Sequence, residues 1–396
     1  MPIDVARVQA ALRARGLDGW LLYDFHGSNP IATHLAGLAG GGATGHMTTR
    51  RWYYLVPATG EPRSLVHVIE RHNLDSLPGA TTIYAGRQEL ADGLRQLLAG
   101  LTRVAMEYSP GGAIPYVSRV DAGTVEAIRQ LGVDVVSSGD LVQQFEAVWD
   151  AAALASHREA SERLYRVKDR AFAAVRDRLQ AGTPTTEYDI QQLMVGWFGE
   201  EGLVSDSAPN VSAGGNAGNP HYLPGVNATR PIGRNEIVLL DLWGKRDRPG
   251  AVYADITWVG FTGPRPPAEY TRAFDAVRGA RDAALALVQE AARTGRALAG
   301  FEVDRAARAV LERAGYGPQL LHRTGHSLGT EVHGNGVNLD DYETHDDRRL
   351  LPGTGFTIEP GVYFDTFGIR SEINVVMGEH DATVTGPMQP SLVLLG

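Results

Sequence analysis

Four carboxylates on two apolar strand pairs constrain the fold of this chain more than any other feature. Asp241 and Asp255 lie in LLDLWGKRDRPGAVYADITW, where two apolar runs flank a polar stretch containing glycine and proline. Glu359 and Glu372 lie in FTIEPGVYFDTFGIRSEINVV, which has the same form and a turn near Asp365 to Gly368. Each segment predicts a β-hairpin whose two acidic side chains lie nearly opposite each other.

Four carboxylates gathered in a strand core need a counter-charge, because they repel one another and an unpaired buried charge is costly. Side chains alternate along strands, so Asp255 shares a face with Thr257, and Glu372 shares one with Arg370 and Asn374. Such polar faces need partners when they are buried. Mostly oxygen ligands with a single imidazole favour a pair of Mn²⁺, Co²⁺ or Zn²⁺ ions that activates water.

Three histidines accompany the carboxylates. His326 lies in HRTGHSLGTEVHG, where Gly325 and Gly329 permit a tight turn, and it is the predicted imidazole ligand. His333 follows in the same segment, and His221 lies in NPHYLPG. An isolated loop histidine is usually structural, so these hypotheses depend on the carboxylates that accompany them.

Together these residues resemble the metal-dependent pita-bread peptidases, a family that includes methionine aminopeptidase, aminopeptidase P and Xaa-Pro dipeptidase (prolidase). GHSLGTEVHG resembles the family's histidine signature, TIEPGVY its Glu-Pro-Gly signature and GIRSEINVV its Arg-x-Glu strand. The resemblance covers roughly residues 150–396, and residues 1–149 resemble the creatinase-type N-terminal domain of aminopeptidase P and prolidase.

The resemblance implies a ligand set for two divalent ions, made of Asp241, Asp255, His326, Glu359 and Glu372. Within it, Asp255 and Glu372 would bridge both ions, and a hydroxide between the ions would be the nucleophile. Glu359 would also act as the proton shuttle, whereas His221 and His333 would contact the substrate and steady the tetrahedral intermediate.

The length of the substrate stays open at this point. Prolidases tend to carry an arginine before the Glu-Pro-Gly turn that binds the substrate carboxylate, and here Arg348 and Arg349 lie in that loop. Arg370 is a second candidate, although it can instead pair with a ligand carboxylate. Gly334 and Asn374 stand where the family often has acidic residues. We expect an Xaa-Pro dipeptidase acting on proline-containing dipeptides, with aminopeptidase P acting on longer peptides as the alternative.

Composition bears on location and on other chemistry. The chain has no cysteine and a formal net charge of −9, which excludes thiolate nucleophiles and argues against nucleic acid or an anionic membrane as a partner. The N-terminal stretch carries too many charges for a signal peptide, and no apolar run is long enough to span a membrane. We therefore expect a cytoplasmic protein, and the resemblance adds a homodimer.

A chain of 396 residues is longer than a single hydrophobic core usually holds, so we expect two domains. The pattern of strands and helices changes near Val148 to Ala153, and we place the boundary there. Before it, short strands alternate with helices and predict a smaller α/β domain, residues 1–149. After it, a long amphipathic helix ending at Gly182, further helices and the two hairpins predict an α+β catalytic domain with the pita-bread fold, residues 150–396.

Other functions compete with this interpretation. GHSLG matches the serine-hydrolase pattern Gly-x-Ser-x-Gly with Ser327 as nucleophile, but a polar glycine-rich loop follows it in place of a helix. Gly40, Gly42 and Gly45 match a dinucleotide-binding pattern, but a strand-like run follows them. A non-catalytic peptide-binding module is the remaining alternative, and the complete ligand set argues against it.

Overall fold

The computed structural model of the protein describes residues 3–38 and 47–396. The chain forms two compact units that divide between Glu146 and Ala147, whereas the sequence pattern places the boundary between residues 149 and 150. Gly40, Gly42 and Gly45 of the dinucleotide-like pattern lie outside the described residues. In the described ranges, no helix is both long and apolar enough to cross a membrane.

The N-terminal unit is built on one six-stranded sheet. Its strands are β1 (Gly19–Asp24), β2 (Trp52–Pro57), β3 (Arg63–His67), β4 (Ala80–Tyr84), β5 (Arg103–Met106) and β6 (Asp134–Ser137). Its helices are α1 (Val5–Ala14), α2 (Pro30–Leu35), α3 (Arg87–Leu97), α4 (Ala122–Arg129) and α5 (Gly139–Val142). The strand order is β4-β3-β2-β1-β5-β6, and β1 is parallel to β5 and antiparallel to β2.

Both faces of the central strands of this sheet are buried. Trp20 and Leu22 of β1 belong to one hydrophobic cluster, and Leu21 and Tyr23 belong to another. Alternate residues of a strand point to opposite faces, so the sheet lies between two cores. This explains why its central strands are continuous apolar runs.

The C-terminal unit has four long helices among the described residues: α6 (Ala151–Ala181), α7 (Glu187–Glu201), α8 (Ala268–Thr294) and α9 (Gly300–Arg313). The side chain of Asp150 caps α6 by accepting from the Ala153 N–H at 2.7 Å. Gly182 ends the helix with a φ of 70°, a conformation that favours glycine. The predicted long helix is confirmed.

The strands of this unit are β7 (Leu203–Val204), β8 (Asn210–Ala213), β9 (Ile237–Arg246), β10 (Ala254–Phe261), β11 (Ser327–Leu328), β12 (Gly355–Ile358), β13 (Gly361–Phe364), β14 (Phe367–Arg370), β15 (Ile373–Met377), β16 (Ala382–Val384) and β17 (Val393–Leu394). One sheet has the order β17-β10-β9-β7, with β8 also paired to β9; a second has the order β11-β12-β15-β16; and β13 pairs with β14.

Strand alternation decides which side chains of β9 and β10 reach the interior. Leu240 and Ile256 pack in a cluster with α6 and α7, whereas Leu239 and Val259 pack in a cluster with α8, α9 and the strands of the second sheet. The odd-numbered side chains therefore face the second sheet, and the acidic residues of this hairpin are odd-numbered.

The register of the first hairpin differs from the prediction. Asp241 lies opposite Thr257, and Asp255 lies opposite Trp243. A direct pairing of the two acids would need a hairpin centred at residue 248, but the observed pairs centre it at residue 249. The two acids therefore share a face and are diagonal neighbours instead of opposite ones.

The second hairpin agrees with the prediction. Gly361 pairs with Arg370, and Ile358 pairs with Ile373. These pairs flank Glu359 and Glu372 and have one common register, so the two glutamates lie across from each other.

Candidate metal centre

Three buried side chains form the centre of the candidate site. Asp255, His326 and Glu372 each offer one ligand atom, and these atoms lie within 4.8 Å of one another. The Nε2 atom of His326 is 3.6 Å from Asp255 Oδ2 and 3.4 Å from Glu359 Oε1. The charges of Glu359 and Asp241 both act on Asp255. The structure thus brings together all five ligands predicted from the sequence.

Two carboxylate oxygens in this group lack a protein partner. Asp255 Oδ1 and Glu372 Oε1 are buried, and neither accepts a hydrogen bond from any described residue. The other oxygen of Glu372 accepts from the Thr257 hydroxyl at 2.7 Å. Because a buried acceptor without a donor is costly, these two oxygens point to a cation. The donor set of four carboxylates and one imidazole fits two divalent ions of the Mn²⁺, Co²⁺ or Zn²⁺ class.

The pKa shifts of the clustered carboxyl groups also indicate that a cation binds between them. Burial raises the pKa of both Asp255 and Glu372 well above the usual range, and neighbouring carboxylates add to the effect. Burial also acts on Glu359, but the charges of His326, His322 and Arg370 outweigh it and lower the pKa of that carboxyl. Asp255 and Glu372 therefore need additional positive charge to be ionised together at neutral pH.

Arg370 is a buried cation beside this group. Its guanidinium donates to Asp241 Oδ2, to Thr257 Oγ1 at 3.0 Å and to the Tyr363 hydroxyl at 3.1 Å. Each of its three nitrogens thus has a partner. The structure matches the alternative in which Arg370 pairs with a ligand carboxylate, and a substrate carboxylate would have to compete with these contacts.

The similarity of the chain to known proteins agrees with this geometry. Residues 156–379 match the model of metallopeptidase family M24. The chain belongs to metallopeptidase family M24. An Xaa-Pro dipeptidase of Lactobacillus helveticus is 34% identical over 175 residues, which are 44% of this chain and 43% of that relative. The chain thus matches less than half of that relative's length.

Two solved structures show the fold of this M24 protein. The dipeptidase PepE of Mycobacterium ulcerans has a TM-score of 0.73 at 23% identity, covering 99% of this chain and 96% of that one. The second is the X-prolyl aminopeptidase of Caenorhabditis elegans, described as a cytosolic enzyme with a di-nuclear active site. It has a TM-score of 0.67 at 18% identity, covering 99% of this chain and 65% of that one. The expected α+β pita-bread fold is confirmed.

Sequence reasoning did not single out two residues beside the M24 centre. Tyr363 accepts from Arg370, and its hydroxyl lies 2.7 Å from His322 Nε2. The Nδ1 atom of His322 lies 2.6 Å from the Arg323 carbonyl, so Nδ1 carries the proton and Nε2 accepts from the tyrosine. Strand alternation could have found Tyr363, because it shares a face of its strand with Gly361 and lies in the Glu-Pro-Gly signature.

The two histidines predicted to contact substrate have different surroundings. The ring of His333 meets the ring of His326 edge to face, with centroids 4.4 Å apart. Desolvation, together with His326, lowers the pKa of His333 to about 4, although the residue keeps contact with solvent. His221 lies in an exposed turn and makes no side-chain hydrogen bond to the described cluster. Its neighbour Tyr222 is anchored by a hydrogen bond of 2.5 Å to buried Glu187.

Arg348 is placed differently from the prediction. It is buried, and its guanidinium donates to both carboxylate oxygens of buried Asp346, at 2.9 and 2.6 Å. It also donates to the carbonyls of Asn335 and Gly336, at 3.0 and 2.7 Å. These bonds fix the loop before β12, so the geometry does not support Arg348 as a substrate ligand.

The serine-hydrolase alternative lacks its structural context. Ser327 is buried in the two-residue strand β11, and bends rather than a helix follow it. Its hydroxyl accepts from the Gly336 N–H at 3.0 Å. A nucleophile elbow needs an exposed serine between a strand and a helix, and neither condition is met.

Proposed function

We propose that the protein is a dinuclear Xaa-Pro dipeptidase that hydrolyses the bond preceding proline. The observation that carries the proposal is the buried ligand group with its two unpartnered carboxylate oxygens, Asp255 Oδ1 and Glu372 Oε1. Membership of metallopeptidase family M24 and the similarity to an Xaa-Pro dipeptidase support this choice of reaction.

Five side chains would hold the two ions: Asp241, Asp255, His326, Glu359 and Glu372. When bound, the ions supply Lewis acidity and activate a water molecule for attack. Arg370 keeps Asp241 oriented, and Thr257 orients Glu372 through its hydroxyl.

Proton transfer and substrate contact are assigned to residues beside the ligands. Glu359 is the proposed proton shuttle to the leaving proline nitrogen, which has no hydrogen of its own in the peptide bond. His333 is the proposed donor to the oxygen of the scissile carbonyl, because it adjoins His326 at the solvent side of the centre. His221 is proposed to contact the substrate from its exposed turn.

A second candidate function is Xaa-Pro aminopeptidase activity on longer peptides. A dipeptidase needs a cation that reads the substrate carboxylate, but Arg348 is paired with Asp346 and Arg370 with Asp241. A substrate carboxylate would have to displace these contacts to reach either arginine, which favours a longer substrate whose carboxylate lies elsewhere. The similarity to Xaa-Pro dipeptidases favours the first candidate, which we keep as the proposal.

The test begins with metal-free protein, prepared by chelation and titrated with Mn²⁺. The proposal requires two bound ions per chain and hydrolysis of Ala-Pro only after reconstitution. A non-catalytic binding module would bind no stoichiometric metal and would cleave nothing. The reconstituted protein is then offered Ala-Pro and Ala-Pro-Ala at equal concentrations, and equal kcat/KM for the two would assign the chain to the aminopeptidases instead.

The proposal also includes a homodimer, a cytoplasmic location and a creatinase-type role for residues 1–149. Light scattering of the purified chain tests the first of these. A mass near twice the calculated 42.6 kDa is the expected result, and a mass near the calculated value would contradict it.

A further inference from the structure

Along most of one edge of strand β10, side-chain amides make the backbone hydrogen bonds that a neighbouring strand would otherwise make. On one side, β10 pairs with β9 along its whole length from Ala254 to Phe261. On the other side, β17 pairs with it only at Gly260 and Phe261. The remaining backbone groups on this second edge are buried and need partners.

Asn374 provides the partners at the start of this edge. The Asp255 N–H donates to Asn374 Oδ1 at 2.9 Å, and Asn374 Nδ2 donates to the Asp255 carbonyl at 2.6 Å. Both residues are buried. The primary amide thus occupies the position that the peptide group of a neighbouring strand would have.

Gln389 repeats the arrangement four residues further along the edge. The Val259 N–H donates to Gln389 Oε1 at 3.0 Å, and Gln389 Nε2 donates to the Val259 carbonyl at 2.6 Å. Between the two amides, the Glu372 backbone N–H donates to the Thr257 carbonyl at 3.2 Å. Alternate residues of β10 from Asp255 to Val259 are therefore bound to residues of segment 372–389, which begins just before β15; we call this row of contacts the seam.

These contacts connect Asp255 and Glu372, the two acids that form a compact group of ligand atoms with His326. Asp255 belongs to β10 in one sheet, whereas Glu372 precedes β15 in the other. Asn374 lies two residues after Glu372, so its amide fixes how far the second sheet can slide along β10. If the second sheet shifted along β10, the carboxylates of Asp255 and Glu372 would move apart.

We propose that Asn374 is a positioning residue that sets the register between Asp255 and Glu372, and thereby the affinity for the metal ions. This inference rests on the proposed metal site. An amide suits the position because it offers a donor and an acceptor side by side, whereas an ionised carboxylate offers acceptors alone. Gln389 holds the same seam at Val259, which is not a proposed ligand.

Two near-isosteric variants separate positioning from general support of the fold. Asn374→Leu and Gln389→Met each remove one amide pair from the edge of β10. We expect Asn374→Leu to raise the Kd for Mn²⁺ about 10–100-fold, as is typical when a group that orients a ligand is lost. Gln389→Met should leave the Kd within about threefold of wild type, because it acts at a site separate from the ligands. Calorimetric titration of the metal-free full-length proteins measures both.

A third variant, Asn374→Asp, removes only one of the two hydrogen bonds. Asn374→Asp keeps an acceptor for the Asp255 N–H but has no donor for the carbonyl, so its Kd should lie between those of wild type and Asn374→Leu. If circular dichroism shows that Asn374→Leu does not fold, Asn374→Asp and Gln389→Glu form the matched pair, with the same order expected.

The outcomes are distinguishable. Unchanged Mn²⁺ affinity in Asn374→Leu overturns the inference while the metal site stands. Equal loss of affinity in the Asn374 and Gln389 variants also overturns it, because the seam would then serve the fold alone. A wild-type protein that binds no Mn²⁺ refutes the proposed function itself, and the inference with it.

Discussion

Replacing buried His157 should change how the stability of the protein responds to acid. His157 lies on α6 with no exposed surface, and its Nδ1 atom donates to the Tyr253 carbonyl at 2.7 Å. Its Nε2 atom therefore accepts from the Thr385 hydroxyl at 2.8 Å. Desolvation lowers the pKa of His157 from its usual 6.5 to about 4, and Arg158 adds to this, whereas the bond to Tyr253 opposes it.

The sign and size of the effect follow from linkage. As the pH falls below 6.5, the unfolded chain takes up the proton before the folded protein does, so the folded state loses stability until about pH 4. Above pH 7 both states hold a neutral ring and the effect disappears. The full loss is roughly 3 kcal/mol, and the part reached at pH 5.5 is roughly 1–2 kcal/mol.

Urea denaturation of the metal-free protein at pH 8.0 and pH 5.5 measures this loss. His157→Gln keeps a donor and an acceptor but cannot be protonated, so wild type should lose roughly 1–2 kcal/mol more than this variant between the two pH values. His380→Gln is the matched control, because His380 is exposed, and it should behave as wild type does. Equal pH dependence in wild type and His157→Gln would refute the reasoning.

The remaining predictions concern the candidate site. Asp255→Ala and Glu372→Ala should each abolish hydrolysis of Ala-Pro and reduce bound Mn²⁺ below two per chain, measured by elemental analysis; near-normal turnover in either would contradict the dinuclear assignment. His333→Ala should lower kcat by about 10²–10³ with metal content unchanged, and a parallel loss of metal would make His333 a ligand. Ser327→Ala should retain kcat and cost about 1 kcal/mol in urea denaturation through its bond to Gly336; loss of activity with metal intact would revive the serine-hydrolase alternative.

Much of the candidate site follows from local sequence pattern. Strand alternation and turn position predict that Glu359 faces Glu372, and the structure has that pairing because a short turn leaves one register available. The five candidate ligands are visible in the sequence, and the glycines around His326 mark a segment that bends. The helix that begins after Asp150 and ends at Gly182 is also local, because its caps lie next to it in the chain.

The N-terminal sheet was predicted less completely. Its strand β1 (Gly19–Asp24) is largely an apolar run, which is the kind of pattern that predicts a short strand. Strand β3 (Arg63–His67) was not predicted, because its arginine, serine and histidine interrupt any apolar pattern. Its pairing with β2 and β4 selects the extended conformation there.

Partner choice among distant residues was decided by tertiary structure alone. The sequence offered Arg348 and Arg370 as carboxylate anchors, but packing pairs them with Asp346 and Asp241. Strand alternation placed Asn374 on the same face as Glu372, but did not show that it binds the backbone of Asp255, 119 positions earlier in the chain. Local pattern specifies residue type and strand face. A hydrogen bond between two sheets depends instead on how both sheets pack against α8 and α9, which lie between β10 and β15 in the chain.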